Sequence, residues 1–221
     1  ILMPVNALHA RYTWHSVTFE AICNPVADFF ILPTDRRNPW ALTLPSAPLP
    51  YTIDLESGKP EKRLRNMEYG GRITTNLSGI DFSLSALRTW NKMPALSLAV
   101  SDDGKSLLAK GEYRRMTMLG ADCSLPVGQI VLRGEAACYF DEAQSRGVGK
   151  DVVCRNTYNI LAGVDWYPGN DWNFSAQYCH KYTAGNLDGL SVYRNAGLAT
   201  ARISKELLRN MLKLSTFAYI D

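Results

Sequence analysis

Apolar and polar residues trade places every second position over most of this chain. Leu8, Ala10, Tyr12 and Trp14 share one parity with Val17, Phe19, Ala21 and Cys23, and His9, Arg11, Thr13, Thr18 and Glu20 hold the other. The pattern returns as Tyr69, Gly71, Ile73, Thr75 and Leu77, then Phe82, Leu84 and Ala86, against Arg72, Thr74, Asn76, Asp81, Ser83 and Ser85. It continues through Leu119 to Leu125, Ile130 to Cys138, Tyr158 to Trp166, Trp172 to Tyr178, Ala199 to Ile203 and Leu212 to Ile220. A period of two is the signature of a β-strand with unlike faces. The segments predict about ten strands, an even count, each of roughly the 9–11 residues that a tilted membrane strand needs.

The gaps between these segments alternate in length. Tight turns at Leu77-Ser78-Gly79, Leu125-Pro126-Val127-Gly128 and Pro168-Gly169-Asn170-Asp171 take turns with long connections at Asn24 to Met67, Asn91 to Lys110, Asp141 to Asp151 and Thr183 to Gly197. Tight turns at one rim and long loops at the other describe an all-β, antiparallel up-and-down transmembrane β-barrel. Residues 1–221 read as one such domain, with 24–67 as a long insertion that forms either a plug or an extracellular loop. Pro33, Pro39, Pro45, Pro48 and Pro50, with Asp35-Arg36-Arg37, make that insertion stiff and charged. The chain opens at Ile1 without a signal-peptide pattern and stops at Tyr219-Ile220-Asp221 inside an alternating run. It is therefore expected to be a piece of a longer protein whose further strands cover the open edges.

Ring placement sets the direction of the apolar face. Trp166, Trp172 and Phe174 bracket one tight turn, and Trp14 and Phe82 lie near two others, as in a girdle at a membrane interface. Tyr69, Trp90, Tyr113 and Phe140 lie near the long-loop ends and are expected to form the second girdle. The opposite parity carries Arg72, Asp122, Arg133, Glu135, Asp165, Lys181, Arg202 and Lys213. A solid core cannot take these charges unpaired, whereas an aqueous lumen can, and there they would form a lining that selects solutes. Two other readings stay open: a lumen plugged by paired charges that holds a structural or binding barrel together, and a soluble ligand-binding barrel. The soluble barrel would turn Leu132, Ala136, Ile160 and Ala162 inward.

Composition adds mainly exclusions. With 46% hydrophobic and 20% charged residues the chain suits either solvent, and no apolar run reaches the length of about 18 residues that a membrane helix needs. A net charge of +3 without a basic stripe gives no reason to expect nucleic acid as a partner. His9, His15 and His180 have no metal-ligand spacing, and Cys23, Cys123, Cys138, Cys154 and Cys179 contain no Cys-x-x-Cys pair. Gly104-Lys105-Ser106 resembles the end of a phosphate-binding loop, but Ala99 stands where its first glycine belongs, so a solvated turn is expected. Neither metal, cofactor nor enzyme activity is expected. Cys138 and Cys154 flank one loop almost symmetrically, so either a disulfide there or five small apolar fillers would account for the cysteines.

Several phrases resemble the strands and turns of an uncharacterised family of Gram-negative outer-membrane, porin-like barrel proteins of unknown function. They are Glu68-Tyr69-Gly70-Gly71-Arg72, Ser78-Gly79-Ile80-Asp81-Phe82-Ser83-Leu84, Gly120-Ala121-Asp122 with Pro126-Val127-Gly128, Leu132-Arg133-Gly134-Glu135-Ala136-Ala137 and Gly163-Val164-Asp165-Trp166. The similarity runs from near Leu8 to the C-terminus. It implies a bacterial outer-membrane location with lipid as partner. The expectation is a channel or passive transporter for small solutes of unknown identity.

Overall fold

The computed structural model describes residues 5–35, 37–41, 48–102, 104–209 and 211–221. Pro45 and Arg36 of the long insertion lie outside the described residues. Ten strands form one antiparallel sheet in strict sequence order: β1 (Leu8–Trp14), β2 (Val17–Asn24), β4 (Glu68–Leu77), β5 (Ile80–Trp90), β8 (Arg115–Val127), β9 (Ile130–Gln144), β10 (Val153–Gly169), β11 (Trp172–Thr183), β12 (Asn195–Leu207) and β13 (Leu212–Ile220). The expected meander is thus observed. Closure into a barrel is not: β1 and β13 are the two edges, and no pairing joins them.

The alternation of connections sorts the two rims. Tight turns join β1 to β2, β4 to β5, β8 to β9, β10 to β11 and β12 to β13, while 25–67, 91–114, 145–152 and 184–194 lie at the opposite rim. Local chemistry explains the tight rim. Ser78 and Gly79 have φ of 53° and 88°, and Asn170 and Asp171 have φ of 51° and 61°. Two successive positive φ values give the hairpin turn whose twist matches the strands it joins, and Gly, Asn and Asp accept them most readily.

Two of the long connections contribute strands of their own. β3 (Tyr51–Asp54), from the first, pairs parallel with β7 (Leu107–Glu112), from the second, and β7 pairs antiparallel with β6 (Ala95–Val100). This three-stranded cap holds most of the apolar core of the described residues: Ala95, Leu98, Leu107 and Ala109 are buried, with Tyr113 and Val152 beside them. Gly58 is required here by a close approach, since a Cβ on it would lie 1.9 Å from the Gly111 carbonyl oxygen. A one-turn 3-10 helix, Leu64–Asn66, leads back to the wall.

Polar contacts lock the wall at this rim, and one of them, from Leu96, ties the cap to it. The Glu68 carboxylate, at the start of β4, accepts from Asn24 Nδ2 at 3.0 Å and from the Trp90 amide at 3.2 Å, and Lys92 Nζ lies 2.6 Å from it. Ser145 Oγ accepts the Leu96 amide at 2.7 Å, and Asn91 Oδ1 accepts the Ala143 amide at 3.1 Å. Cys138 faces Tyr158 and Cys154 faces Ala143, so the strand register does not oppose these two cysteines, and all five are free thiols. Gly104, at a φ of 67°, lies in the β6–β7 turn, where Ser101 and Ser106 bond each other.

Candidate functional site

Strand pairing assigns each wall residue to a face. Arg72, Ser83, Ser85, Gly120, Asp122, Arg133, Glu135, Ala137, Asn159, Asp165, Ser175, Lys181, Arg202 and Lys213 share one face by register. All eight charges singled out in the sequence are in this set. The face is concave: residues from β4 to β12, together with Asp221, line a hollow of about 880 Å³, and a smaller one of about 260 Å³ lies beside it over β1 to β8. Small residues make the room. Ser85, Gly120 and Ala137 form one cross-strand row through the middle of the hollow. No described residue of 25–67 lines it, so the described part of that insertion sits at the rim with the cap rather than inside.

The charges on the concave face are mostly spoken for. Arg72 Nη2 reaches Asp122 at 3.0 Å while its Nε donates to Ser83 Oγ at 3.0 Å, and Ser83 Oγ donates in turn to Asp122. Arg133 pairs with Asp165, whose other oxygen accepts from Ser175 Oγ at 2.6 Å. Lys181 Nζ lies 3.5 Å from Glu142, which also accepts from Thr157 Oγ1, and Lys213 Nζ lies 2.8 Å from Glu206. Glu135 and Arg202 have no partner among the described residues. Glu135 lines the hollow beside Asp122, and Arg202 stands opposite Ser175. Charge pairing across adjacent strands satisfies side chains that face a partly enclosed space, and of the eight candidate charges on this face it leaves Glu135 and Arg202 without an ion-pair partner among the described residues.

The other face is apolar and uncovered. Leu132 and Ile160 are 45% and 60% exposed, and Ala136 and Ala162 are exposed beside them. Trp14, Phe82, Trp166 and Trp172 lie on this face near the tight turns, where Trp166 and Phe174 rings are 5.3 Å apart and Phe174 stacks on Trp172 at 5.7 Å. Trp90 lies on it at the other rim and donates Nε1 to the Asn66 carbonyl at 3.0 Å.

Tyr113 departs from the expected girdle. It is 6% exposed, packs edge-to-face on Phe29 at 4.5 Å and donates its hydroxyl to the Leu55 carbonyl at 3.2 Å. A ring just before a strand can serve the cap as well as the wall, and the cap claims this one. The rings that do stand on the outer face near the long-loop rim include the expected Tyr69 and Phe140, and also Tyr158 and Tyr182. Their alternating spacing in the sequence was a sufficient signal, but it registers there only as strand parity.

No helix among the described residues is long and apolar enough to cross a membrane, which says nothing about strands that do. No cluster of His, Cys, Asp or Glu among the described residues is placed to hold a metal ion. No protein-family model, curated protein or solved structure matches the chain.

Proposed function

We propose that this sheet is wall from an outer-membrane β-barrel, closed in the intact protein by further pairing of its two edges, and that its concave face lines a passage for small polar solutes. The observation that carries the reading is sidedness: the outward face is mostly apolar, with Arg88, Arg115 and Lys205 its fixed charges among the register-paired residues, whereas the concave face mixes Met118, Tyr139, Leu161 and Leu198 with most of the wall's ionised groups. In water that arrangement leaves a broad apolar surface unburied, at about 25 cal/mol per Å². In a bilayer the same surface is solvated by lipid tails, and the rings near the turns lie at the interface. The four residues that a soluble barrel would turn inward are all exposed on the outer face, which favours the membrane.

The charges proposed to act on solutes are Glu135, in the hollow, and Arg202, on the same face nearer the tight-turn rim, because the remaining six of the eight candidate charges are engaged in ion pairs. That same pairing favours a second reading, a plugged barrel whose inward charges only hold the wall together. Planar-bilayer recording of the intact protein separates the two. Discrete conductance steps, with a reversal potential that moves when Glu135 is replaced by Gln, support the passage. A membrane-inserted protein with no conductance leaves the structural barrel.

A further inference from the structure

Among the register-paired residues of the wall, the outward face carries three fixed charges, Arg88, Arg115 and Lys205, and all are basic. Two of them sit together. Arg88 stands between Tyr69 on β4 and Thr117 on β8, and Arg115 stands opposite Trp90 on the next outward row, so the guanidinium groups are diagonal neighbours at the long-loop rim. Diagonal pairs on one sheet face lie about 7–8 Å apart, within reach of long side chains.

Each is oriented by the protein, and neither is neutralised. Arg88 Nη1 donates to Thr117 Oγ1 at 2.7 Å. Arg115 donates to the Arg65 carbonyl at 2.9 Å and to the Met67 carbonyl, with its guanidinium 5.5 Å from the Trp90 ring centre. Neither has a carboxylate partner among the described residues. On the concave face the sequence supplied acids for most of its bases; on this face, at this rim, it supplied none. Arg88 keeps its Nε and Nη2 edge for a pair of phosphate oxygens, and Arg115, whose terminal nitrogens are held by carbonyls and whose Nε is buried, adds a fixed positive charge beside it. Together, above an apolar band, they match a phosphate group attached to an acyl chain that lies along Leu119, Ala86 and Leu84 below.

We infer that Tyr69, Arg88, Trp90, Arg115 and Thr117 form a docking site for the phosphate headgroup of an anionic lipid in the leaflet at the long-loop rim. The inference rests on the membrane reading of the wall.

The test is native mass spectrometry of the full chain in detergent micelles, titrated with phosphatidylglycerol and, in parallel, with phosphatidylcholine. Two basic side chains at a membrane surface favour the anionic lipid by about thirtyfold, and Arg88→Gln with Arg115→Gln reduces this to within about twofold. Because Arg115 also holds two loop carbonyls, Arg88→Gln alone is the second variant, with an expected loss of about fivefold. Lys205→Gln, at the opposite rim, leaves the preference unchanged. Equal retention of both lipids by the unmodified protein, or full displacement of phosphatidylglycerol by equimolar inorganic phosphate, overturns the site. A protein that stays monomeric in buffer without detergent overturns the membrane reading instead, so the two failures are distinct.

Discussion

Arg133 reaches diagonally across the β9–β10 seam to Asp165, which lies one row nearer the tight-turn rim and faces Val131 in the register. The two ends of the pair differ: the Arg133 side chain is 41% accessible and that of Asp165 only 8%. Loss of Arg133 therefore strands a buried carboxylate with Ser175 as its main remaining donor, whereas loss of Asp165 frees a guanidinium that water can reach. Arg133→Ala is expected to cost about 2 kcal/mol and Asp165→Ala less, with a coupling of about 1 kcal/mol between them. Urea unfolding of both single variants and the double variant in phospholipid vesicles measures all three.

The two faces respond oppositely to the same new charge. Leu132→Arg, on the outer face at mid-strand, is expected to destabilise the folded wall by about 2–4 kcal/mol in a bilayer. Glu135→Arg, three residues along and facing the hollow, is expected to cost under about 1 kcal/mol. Equal costs in vesicle unfolding would contradict an outer face bathed in lipid.

Glu135→Arg also bears on selectivity. It places a second free base in a lining where Arg202 is already unpaired, so the reversal potential under a salt gradient is expected to move toward anions. Lys213→Gln, which removes one member of an existing pair at 2.8 Å, is expected to move it less.

Alkaline pH acts on the cap. Burial raises the Tyr113 phenol above its ordinary value, with the Lys59 charge opposing this and Glu56 adding to it. A raised value means that the folded state holds the proton more tightly than the unfolded chain does. This contribution is complete below the ordinary tyrosine value of about 10 and is lost as pH climbs through the raised folded value. Hydrogen exchange across β7 is expected to accelerate above pH of about 10 in the natural protein but not to show that step in Tyr113→Phe.

Gly58→Ala tests whether the cap folds separately from the wall. The added methyl would meet the backbone oxygen of Gly111, which cannot swing aside as a side chain can. A cost of about 1–3 kcal/mol confined to the cap is expected. Limited proteolysis should then cut within 48–60 while the ten-stranded sheet keeps its β circular dichroism.

The sheet was legible because one side of each wall strand is predominantly apolar. Ile73, Leu84, Leu119 and Leu132 mark a face without reference to any distant residue. The cap was not legible for the opposite reason. β3 has four residues, and its partner β7 lies more than fifty positions away in a parallel pairing that no hairpin turn announces. Glu68 read only as the first residue of a strand, since its role depends on Asn24, Trp90 and Lys92 arriving from two other segments. Parity found the inward charges but could not say which would be cancelled. That depends on diagonal neighbours such as Arg133 and Asp165, and so on register, which the alternation of polar and apolar residues leaves open by steps of two.

The parallel pairing of β3 with β7 also works as a clasp. The two strands come from connections on either side of the β4–β5 hairpin, and Trp90 and Arg115 fasten the returning segment at Asn66, Arg65 and Met67. Prising β4 from β5 at the loop rim means unzipping a second sheet as well as the first. The cap also fastens the loop rim just after β9, where Ser145 Oγ accepts the Leu96 amide and the Gly149 amide donates to the Leu98 carbonyl, both on β6. Sideways parting of the sheet is therefore resisted at β4, β5 and the end of β9, and is directed toward the edges at β1 and β13.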